Sequence, residues 1–381
     1  MSAKIFLVAA ESSGDQLGAD LIGALKAKDP GLRFAAVGGP GMAQAGAQSL
    51  FDIHDLAILG LIDGVKAYAR VIARADQTAA AILAEKPAAV VLIDSWGFTL
   101  RVAQRVRAAA PEIKLIKYIG PQVWASRPGR ARTLAATVDH LICIHDFEVP
   151  FYTSYGLSCT VCGHPAISRF APGDGASFRA RHGIAADAPF ALILPGSRRA
   201  ELRRTGPILM AAADRLRSDC PGTELRLLVA GPVRDEARAL AAAHGVSAID
   251  EDGEKENAFA AATVALACSG TVTTEVGLQR TPVVVGYKLG WITWALARAF
   301  LYNAPFITLM NVAVGAEIAP EFIQTEFTPA AVAGVAMPLL CDPAARAAQV
   351  AAQDEALARM GKGGPRAAEI AAEAVLRQIG R

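Results

Sequence analysis

Short apolar runs that alternate with segments of helical period predict an α/β protein built from two doubly wound domains. Apolar runs of this kind are typical of parallel strands that are buried on both faces. A stretch rich in Pro and Gly at 168–189 interrupts the alternation, which then begins again. With 381 residues the chain is long enough for two cores. We therefore expect residues 1–168 and 169–381 to form two domains, with a cleft between the carboxyl ends of their strands. The C-terminal helices of the second domain are expected to pack back on the first domain or on a partner subunit.

The elements follow one another in the same order in both halves. Helical patterns separate the apolar runs, the clearest of them at 65–85. The predicted strands are 5–9, 34–37, 88–93, 115–119, 140–144 and 160–162 in the first half, and 191–194, 225–230, 247–249, 264–267 and 282–285 in the second.

The turn after the strand at 191–194 has the composition of an anion site. Gly196 lets the backbone approach a ligand, Ser197 can cap the following helix, and Arg198 can donate two hydrogen bonds to a phosphate. The amino end of a helix adds free N–H groups and a positive dipole end. An ordinary strand-to-helix turn with a surface arginine is the alternative.

A second turn of this type follows the strand at 264–267. Ser269, Gly270 and Thr271 can meet a pyrophosphate, and Glu275, one turn inside the next helix, can accept hydrogen bonds from two ribose hydroxyls. Two such turns in one half are more specific than either alone, so we predict that the second domain binds a nucleotide.

Carboxylates follow two strands of the first half. Glu11 lies in a turn that lacks the dinucleotide pattern G-x-G-x-x-G, and because it would repel a phosphate we expect it to accept hydrogen bonds from hydroxyls. Asp94 ends a wholly apolar, central strand, where ligands bind in open α/β sheets, and is the candidate general base. The alternatives are that Glu11 caps the first helix and that Asp94 caps a helix beginning near Thr99.

The turn after the strand at 115–119 combines Pro, Trp and Arg. Trp124 and Arg127, with Arg130 and Arg132 nearby, suggest a wall that faces an anionic group. A solvated basic loop is the alternative.

Composition excludes several function classes. The formal net charge of +2 and the absence of a Lys/Arg-rich tract argue against nucleic acid as a partner. The six cysteines lie mostly in apolar segments, which indicates reduced thiols in a cytoplasmic protein. Cys159 and Cys162 form an isolated C-x-x-C, and the acidic loop at 250–252 lacks the fixed partners that a hard cation needs. We predict no metal and no cofactor.

Two segments have the pattern of a membrane-surface contact. We expect no signal peptide, because Lys4 precedes only a short apolar run, and no stretch of ~20 apolar residues that could span a bilayer. The segment 58–75 is basic and amphipathic, and 291–316 is almost wholly apolar. Packing of both segments into a core is the alternative.

Taken together, these motifs resemble those of the lipid-A-disaccharide synthase family along nearly the whole chain. This family comprises inverting glycosyltransferases of Gram-negative bacteria with the GT-B architecture of two Rossmann-like domains. The residues that carry the resemblance are Glu11-Ser12-Ser13-Gly14-Asp15, Gly39 with Met42, Leu56-Ala57 with Gly60, Pro121 with Val123-Trp124-Ala125 and Arg127, Phe147-Glu148, Gly163-His164, Leu194-Pro195-Gly196-Ser197-Arg198 with Glu201, Ser269-Gly270-Thr271 with Glu275, Pro282-Val283-Val284 with Tyr287, Asn311 with Gly315, and Glu321 to Gln324.

The resemblance implies a reaction. The donor is UDP-2,3-diacylglucosamine, the acceptor is 2,3-diacylglucosamine 1-phosphate, and the products are the β-1,6-linked disaccharide and UDP. Asp94 deprotonates the acceptor hydroxyl and Arg198 offsets charge on the leaving UDP. Glu11 and Asn311 complete the catalytic set. The substrate and nucleotide residues are Ser13, Gly14, Trp124, Arg127, Gly196, Ser197, Ser269, Gly270, Thr271, Glu275 and Tyr287.

The resemblance also implies partners and a location. Family members act on lipid-linked sugars without a bound metal, as peripheral proteins. We expect a cytoplasmic protein associated with the cytoplasmic face of the inner membrane. A homodimer that exchanges C-terminal elements is permitted by the helix-rich tail after Thr328.

Two loops depart from the family pattern. After Asp94 the family usually has Asp-x-Pro-Asp-Phe-Asn, but Trp96, Gly97 and Thr99 stand here. The loop at 120–126 also differs from the usual Ser-Pro-Ser-Val-Trp-Ala-Trp. A related transferase that acts on another lipid, a UDP-sugar epimerase and a non-catalytic sugar-nucleotide or lipid-binding protein are the alternatives. An epimerase would need a second acid/base, for which the sequence offers no clear His–Glu pair.

Overall fold

The computed structural model describes residues 3–56, 64–291, 294 and 305–381. It divides into two compact units, each with its own parallel sheet. The first unit comprises Met1–Pro165 and Gly363–Arg381, and the second comprises Ala166–Lys362.

The strands form two six-stranded sheets. All strand pairs are parallel. The order is β2-β1-β3-β4-β5-β6 in the first unit and β12-β11-β10-β7-β8-β9 in the second. Their bounds are β1 Lys4–Val8, β2 Arg33–Val37, β3 Ala89–Ile93, β4 Lys114–Tyr118, β5 His140–Cys143, β6 Ser158–Val161, β7 Phe190–Leu194, β8 Glu224–Val229, β9 Ser247–Asp250, β10 Val264–Cys268, β11 Val283–Tyr287 and β12 Glu321–Ile323.

Helices cover both faces of each sheet, as parallel sheets require. The bounds of the helices in the described residues are α1 Ser12–Lys28, α2 Pro40–Gln44, α3 Gly64–Glu85, α4 Trp96–Ala109, α5 Gly129–Ala135, α6 Val149–Thr153, α7 Pro165–Ser168, α8 Gly175–Arg181, α9 Arg199–Asp219, α10 Arg234–Ala243, α11 Lys255–Ala261, α12 Val272–Leu278, α13 Leu309–Val314, α14 Pro329–Cys341, α15 Pro343–Arg359 and α16 Ala367–Gln378.

Strand alternation builds two apolar layers in each unit. In β3, Val90 and Leu92 enter the cluster that contains Phe98 and Val102 of α4. Val91 and Ile93 of the same strand face the opposite cluster, with Leu21 and Leu25 of α1. Because both faces are buried, β3 is apolar at every position, which is why its sequence predicts a central strand.

Each sheet has one point where the strand order reverses. In the first, β1 lies between β2 and β3, and Val8 pairs with Leu92. In the second, β7 lies between β8 and β10, and Ala267 pairs with Leu194. The turns that leave two neighbouring strands diverge at such a point, and ligands of open α/β sheets bind there.

The structure adds two elements that the sequence analysis did not predict. β12 is a short, half-buried edge strand that pairs with Val285–Tyr287. α8 lies inside the stretch interpreted as a linker, because Asp174 accepts a hydrogen bond from the Ser177 N–H at its start and the fully buried Phe178 anchors it. The remaining predicted strands begin and end within two residues of the observed ones.

The end of the chain lies in the first unit. Ala371 and Val375 of α16 are fully buried in the same cluster as Leu21 of α1. The Lys28 ammonium lies 2.7 Å from a Glu373 carboxylate oxygen, and Arg381 pairs with Asp29. The prediction placed the boundary after 168 and residues 363–381 in the second domain, with C-terminal helices packing back on the first domain or on a partner subunit. The structure divides after Pro165, and the last helix belongs to the first unit.

Both predicted membrane-surface segments lie partly outside the described residues, which exclude 57–63, 292–293 and 295–304. The parts that are described expose two large side chains, Tyr68 at 55% and Trp291 at 64%. No helix among the described residues is long and apolar enough to cross a membrane.

Candidate functional site

The turns after β1 and β3 line one cavity in the first unit. Its volume is about 650 Å³. Glu11 and Ser12 come from the first turn, and Ser95 and Gly97 from the second. The rest of the lining is mainly apolar and comes from Ala10, Asp15, Pro40, Ile53, Leu56, Tyr68, Val71, Phe98 and Arg101. The order of the strands therefore brings the two predicted carboxylate turns together.

Glu11 occupies the N-cap position of α1 without capping it. Its backbone is extended, and no hydrogen bond runs from the helix to its side chain. The carboxylate is exposed and lines the cavity. The capping alternative is therefore not realised. Ser13 is exposed in the first helical turn, whereas Gly14 is buried where an added Cβ would lie 3.1 Å from that of Ala9.

Asp15 holds the neighbouring turn after β2. Its carboxylate accepts hydrogen bonds from the backbone N–H groups of Gly39 at 2.7 Å, Gly41 at 2.8 Å and Met42 at 3.0 Å. An added Cβ on Gly39 would lie 2.7 Å from an Asp15 oxygen, so the glycine is required for this close approach. This role was not predicted, although Asp15 stands in the quoted motif.

Asp94 lies in a left-handed turn at the end of β3. The φ angles of Asp94 and Ser95 are 45° and 40°. α4 begins at Trp96 with Ser95 as its N-cap, and Asp94 does not cap it. Instead, the Thr99 hydroxyl donates a hydrogen bond to the Asp94 main-chain oxygen at 2.8 Å. No described residue donates a hydrogen bond to the Asp94 carboxylate, so this side chain keeps its acceptor capacity.

In the turn after β4, the tryptophan packs against a neighbouring ring, whereas Arg127 is exposed. The Trp124 ring packs edge-on against Phe147, with centroids 5.4 Å apart. Its buried Nε1–H has no partner among the described residues. Arg127 is exposed with a φ of 50°, whereas Arg130 lies over the Trp96 ring at 5.3 Å. Arg130 thus contacts the segment that follows Asp94, a contact that sequence reasoning did not assign.

In the second unit, the turn after β7 depends on Gly196. Its φ is 106°, and an added Cβ would lie 2.8 Å from the Glu201 Cβ. Ser197 is exposed beside it and does not cap α9, whose N-cap is Arg198. The Arg198 guanidinium lies 2.8 Å from a Glu201 carboxylate oxygen, and this contact raises the pKa of Arg198 further. Because the Arg198 side chain is 81% exposed, the pair holds the cation at the amino end of α9 while leaving it open to an anion.

The turn after β10 adjoins the turn after β7. The exposed Gly270 and Thr271 precede α12, and the Ser269 N–H donates a hydrogen bond to the Gly286 oxygen at 3.2 Å. A Glu275 carboxylate oxygen lies 2.6 Å from the Lys255 ammonium. Glu275 also lines a small cavity of about 240 Å³ together with Arg169 and Gln279.

Tyr287 ends β11, next to β10. Burial is the main cause that raises the pKa of its hydroxyl, and the nearby Glu201 and Cys268 add to it, whereas Arg198 opposes it. Tyr287 therefore lies within electrostatic range of the Arg198–Glu201 pair, which places a third predicted residue near the turn after β7.

Asn311 is wholly occupied by internal hydrogen bonds. Its amide nitrogen donates to the Ala319 oxygen at 2.8 Å and to Glu321 at 3.2 Å. Its amide oxygen accepts from the N–H groups of Ile318 and Ala319, both at 2.9 Å. Asn311 is fully buried. In this structure it braces the chain that leads into β12 rather than presenting a group to a ligand.

The acidic loop at 250–252 is neutralised by arginines of α10. Asp250 pairs with Arg238 at 2.6 Å, and Asp252 pairs with Arg234 at 3.1 Å. Within residues 3–56, 64–291, 294 and 305–381, no group of three or more His, Cys, Asp or Glu side chains is arranged to hold a metal ion.

The structure thus groups the predicted residues in two places. Glu11 and the turn of Asp94 lie at the switch point of the first sheet, and Gly196 to Arg198 and Ser269 to Thr271 lie at that of the second. Sequence reasoning missed Arg101 and Tyr68 of the first cavity, whose guanidinium and ring are in cation–π contact at 5.3 Å. It also missed the buried Lys117, although a lysine among the apolar residues of a central strand is an unusual signal.

Solved structures share this arrangement across the whole chain. A UDP-GlcNAc 2-epimerase from Neisseria meningitidis, bound to UDP-GlcNAc, has a TM-score of 0.62 at 13% identity and covers 98% of this chain and 100% of its own. A glycosyltransferase from Rickettsia africae also has a TM-score of 0.62, at 10% identity, and covers 100% of this chain and 99% of its own. The fold and the polar turns at both switch points define a protein of the GT-B class.

The sequence comparisons narrow this class to one family. The model of the lipid-A-disaccharide synthetase family matches residues 5–375. Lipid-A-disaccharide synthase of Rhodospirillum centenum is 41% identical over 98% of this chain and 94% of that protein, and the enzyme of Myxococcus xanthus is 34% identical over 98% and 97%. The chain belongs to the lipid-A-disaccharide synthase family. It is an enzyme, a glycosyltransferase of lipid A biosynthesis.

Proposed function

We propose that this enzyme transfers 2,3-diacylglucosamine from UDP to 2,3-diacylglucosamine 1-phosphate, forming the β-1,6-linked disaccharide and UDP with inversion at the anomeric carbon. The observation that carries the proposal is the position of the two motif sets, each at the switch point of its own sheet. The first unit presents Glu11 in a largely apolar cavity that the turn of Asp94 also lines through Ser95 and Gly97, and the second presents a glycine turn and a cation at a helix amino end.

Asp94 is the proposed general base. Its carboxylate takes the proton of the acceptor 6-hydroxyl while that oxygen attacks the anomeric carbon, and the bond from this carbon to the UDP oxygen breaks. The absence of a donor to the Asp94 carboxylate among the described residues supports this role, because the acceptor capacity is unused. General-base assistance of this kind contributes roughly 10²–10⁴-fold to the rate.

Arg198 and the amino end of α9 are proposed to stabilise the leaving UDP. The guanidinium is held by Glu201 and exposed, and it stands at the amino end of α9, where the helix dipole favours an anion. We propose that these groups offset the diphosphate charge without a metal ion. Turnover in excess EDTA should then equal turnover in buffer alone.

The cavity of the first unit fits an acylated sugar. Ile53, Leu56, Val71 and Phe98 supply apolar lining, and Glu11 can accept hydrogen bonds from sugar hydroxyls. Contact between this apolar lining and acyl chains removes apolar surface from water, which is favourable. A pocket of this composition therefore binds an amphipathic ligand better than a wholly polar one.

We further propose that the enzyme works at the cytoplasmic face of the inner membrane. The exposed Tyr68 and Trp291, which lie in the two predicted surface segments, support this, because Trp and Tyr favour the interface between membrane and water. The homodimer stays a prediction. Sedimentation with vesicles that contain anionic lipid tests the location, and a protein that stays in the supernatant would contradict it.

The decisive experiment measures UDP release from UDP-2,3-diacylglucosamine with and without 2,3-diacylglucosamine 1-phosphate in detergent. We expect release only when the acceptor is present, together with a disaccharide detected by mass spectrometry. Binding of UDP without transfer would retain the nucleotide site and reject the acceptor. Release without the acceptor would reject the transfer reaction itself.

Two sets of variants test the proposed general base and the proposed UDP site separately. Asp94→Asn should lower kcat by roughly 10²–10⁴-fold and leave UDP affinity unchanged. Arg198→Ala and Glu275→Ala should weaken UDP binding measured by calorimetry. Arg359→Ala, which removes an exposed arginine of α15 that pairs, among the described residues, only with Glu355, is the control and should behave as the unmodified enzyme. Full turnover by Asp94→Asn would remove Asp94 from its proposed role.

A further inference from the structure

A buried lysine lies directly beneath the turn of Asp94. Lys117 of β4 is 2% exposed. Its ammonium donates a hydrogen bond to the main-chain oxygen of Asp94 and another, at 2.8 Å, to the Thr99 hydroxyl. The Thr99 hydroxyl itself contacts the main-chain oxygens of Asp94 at 2.8 Å and Ser95 at 3.0 Å. These contacts form a closed network, here called the lysine brace, that joins β4 to the turn after β3.

The backbone that the lysine brace contacts is strained. Asp94 and Ser95 are both non-glycine residues in the left-handed region, with φ angles of 45° and 40°. Such a conformation is strained for a residue with a side chain and persists only where the surrounding contacts over-determine it. The brace supplies those contacts, because it fixes the carbonyl groups of both residues from below.

We propose that Lys117 is a positioning residue for the Asp94 base: it holds the left-handed turn, and with it the Asp94 carboxylate, in place. The inference rests on the proposed function, in which Asp94 is the base. Thr99, which replaces the Asn of the usual family pattern, is the partner through which Lys117 reaches the turn.

The electrostatics agree with the geometry. Burial lowers the pKa of Lys117 to about 7, and the Asp94 charge opposes that shift. The elements around the turn also carry other charged or titratable groups: Glu11 at the end of β1, Arg101, Arg105 and Arg107 on α4, Lys114 and Tyr118 on β4, and His140 and Cys143 on β5.

A purely structural lysine would behave differently when it is replaced. In Lys117→Met the buried charge disappears, while the Asp94 oxygen still accepts a hydrogen bond from Thr99, so no polar group loses its last partner. Replacing a buried ion with an apolar residue of similar size is often neutral or stabilising. We therefore expect the melting temperature of Lys117→Met to be unchanged or raised, although its activity falls.

The first measurement is steady-state turnover of the full-length enzyme. Lys117→Met should lower kcat by about tenfold or more, because a slightly displaced base is costly, and leave the Kd for UDP within about twofold of the unmodified value. Lys114→Met removes an exposed lysine from the same strand and should leave turnover and UDP binding unchanged. Thr99→Val should resemble Lys117→Met, and Thr99→Ser, which keeps the hydroxyl, should restore most of the activity.

The second measurement is the pH profile of kcat/KM. Because the pKa of Lys117 is about 7, the profile of the unmodified enzyme should change slope near pH 7, and Lys117→Met should lose that change. A profile that keeps it in Lys117→Met, together with unchanged kcat, would overturn the inference. Loss of activity that only parallels a lower melting temperature would also overturn it, because that is the behaviour of a structural residue. If Asp94→Asn keeps full turnover, the proposed function fails first, independently of Lys117.

Discussion

At the scale of the residue, Gly196 shows how a turn can require one amino acid. Its φ of 106° lies in the region that disfavours side chains, and the Glu201 Cβ lies where a methyl group would be placed. Glu201 in turn pairs with Arg198, so the same contact that excludes a side chain at 196 positions the cation at the amino end of α9. Gly270, in the neighbouring turn, has open space around it.

This difference predicts unequal effects of two similar substitutions. Gly196→Ala should destabilise the fold by about 1–3 kcal/mol and weaken UDP binding, because backbone strain adds to a clash with Glu201. Gly270→Ala should cost less than about 1 kcal/mol. Chemical denaturation followed by circular dichroism measures both. Equal losses for the two variants would show that the Gly196 geometry carries no special cost.

At the scale of the element, β5 and the short helical turn Asp146–Glu148 after it bury two ionisable groups. Burial raises the pKa of Glu148 to about 8 and lowers the pKa of His145 to about 3. Both residues are therefore neutral in the folded protein near pH 6. The single backbone hydrogen bond from His145 to the Glu148 carboxyl, at 3.3 Å, only partly offsets the burial.

The Glu148 shift predicts a pH-dependent stability. Between pH 4.5 and pH 8, Glu148 is protonated in the folded state and ionised in the unfolded state. Its contribution to the unfolding free energy is therefore complete below pH 4.5, and it is lost as the pH rises through 8. The unfolding free energy of the unmodified protein relative to Glu148→Gln should fall by about 1.4 kcal/mol per pH unit in that window.

Urea titrations at pH 5, 6, 7 and 8 measure this difference, with each pH value chosen inside the window. Asp146→Asn, an exposed carboxylate of the same turn, is the matched control and should leave the slope unaltered. A difference between the unmodified protein and Glu148→Gln that does not change with pH would show that Glu148 titrates normally in the folded state.

At the scale of the whole molecule, the last helix of the chain completes the core of the first unit. α16 adds Ala371, Ala372 and Val375 to a core that α1 shares with the strands of the first sheet. Glu373 of α16 pairs with Lys28, and Arg381, after the helix, pairs with Asp29 at the end of α1. These pairs are partly exposed and contribute little, so the apolar contact carries most of the attachment.

Truncation after Lys362 should therefore damage one unit selectively. Amide exchange in β1 and α1 should accelerate by about tenfold or more, because the removed helix covers their core, while exchange in α9 of the second unit should stay within about twofold. Hydrogen exchange with mass spectrometry reports both regions at once. Uniform acceleration across the chain would contradict the division into two units.

The local pattern of apolar residues predicted most of the strands and helices, and the local composition predicted the polar turns of both units. Runs such as Ala89–Ile93 are apolar because both faces of the strand are buried, and this requirement is visible in the sequence itself. β12 was not predicted, because a short, half-buried edge strand has no continuous apolar run. α8 was not predicted, because the glycine and proline residues around it are typical of a linker. Only the burial of Phe178 in the structure shows what anchors this helix.

Turn chemistry is local, so the composition of the turns at 11–15, 94–99, 196–201 and 269–275 indicated ligand sites before any strand was paired. Strand order is not local. Only the pairing of β1 with β3 and of β7 with β10 made those turns neighbours, and only tertiary packing assigned Asn311 to bracing, Asp15 to the turn after β2 and Lys117 to Asp94. The physical reason is that a residue's partners across a sheet depend on which strands lie side by side, which no stretch of neighbouring residues encodes.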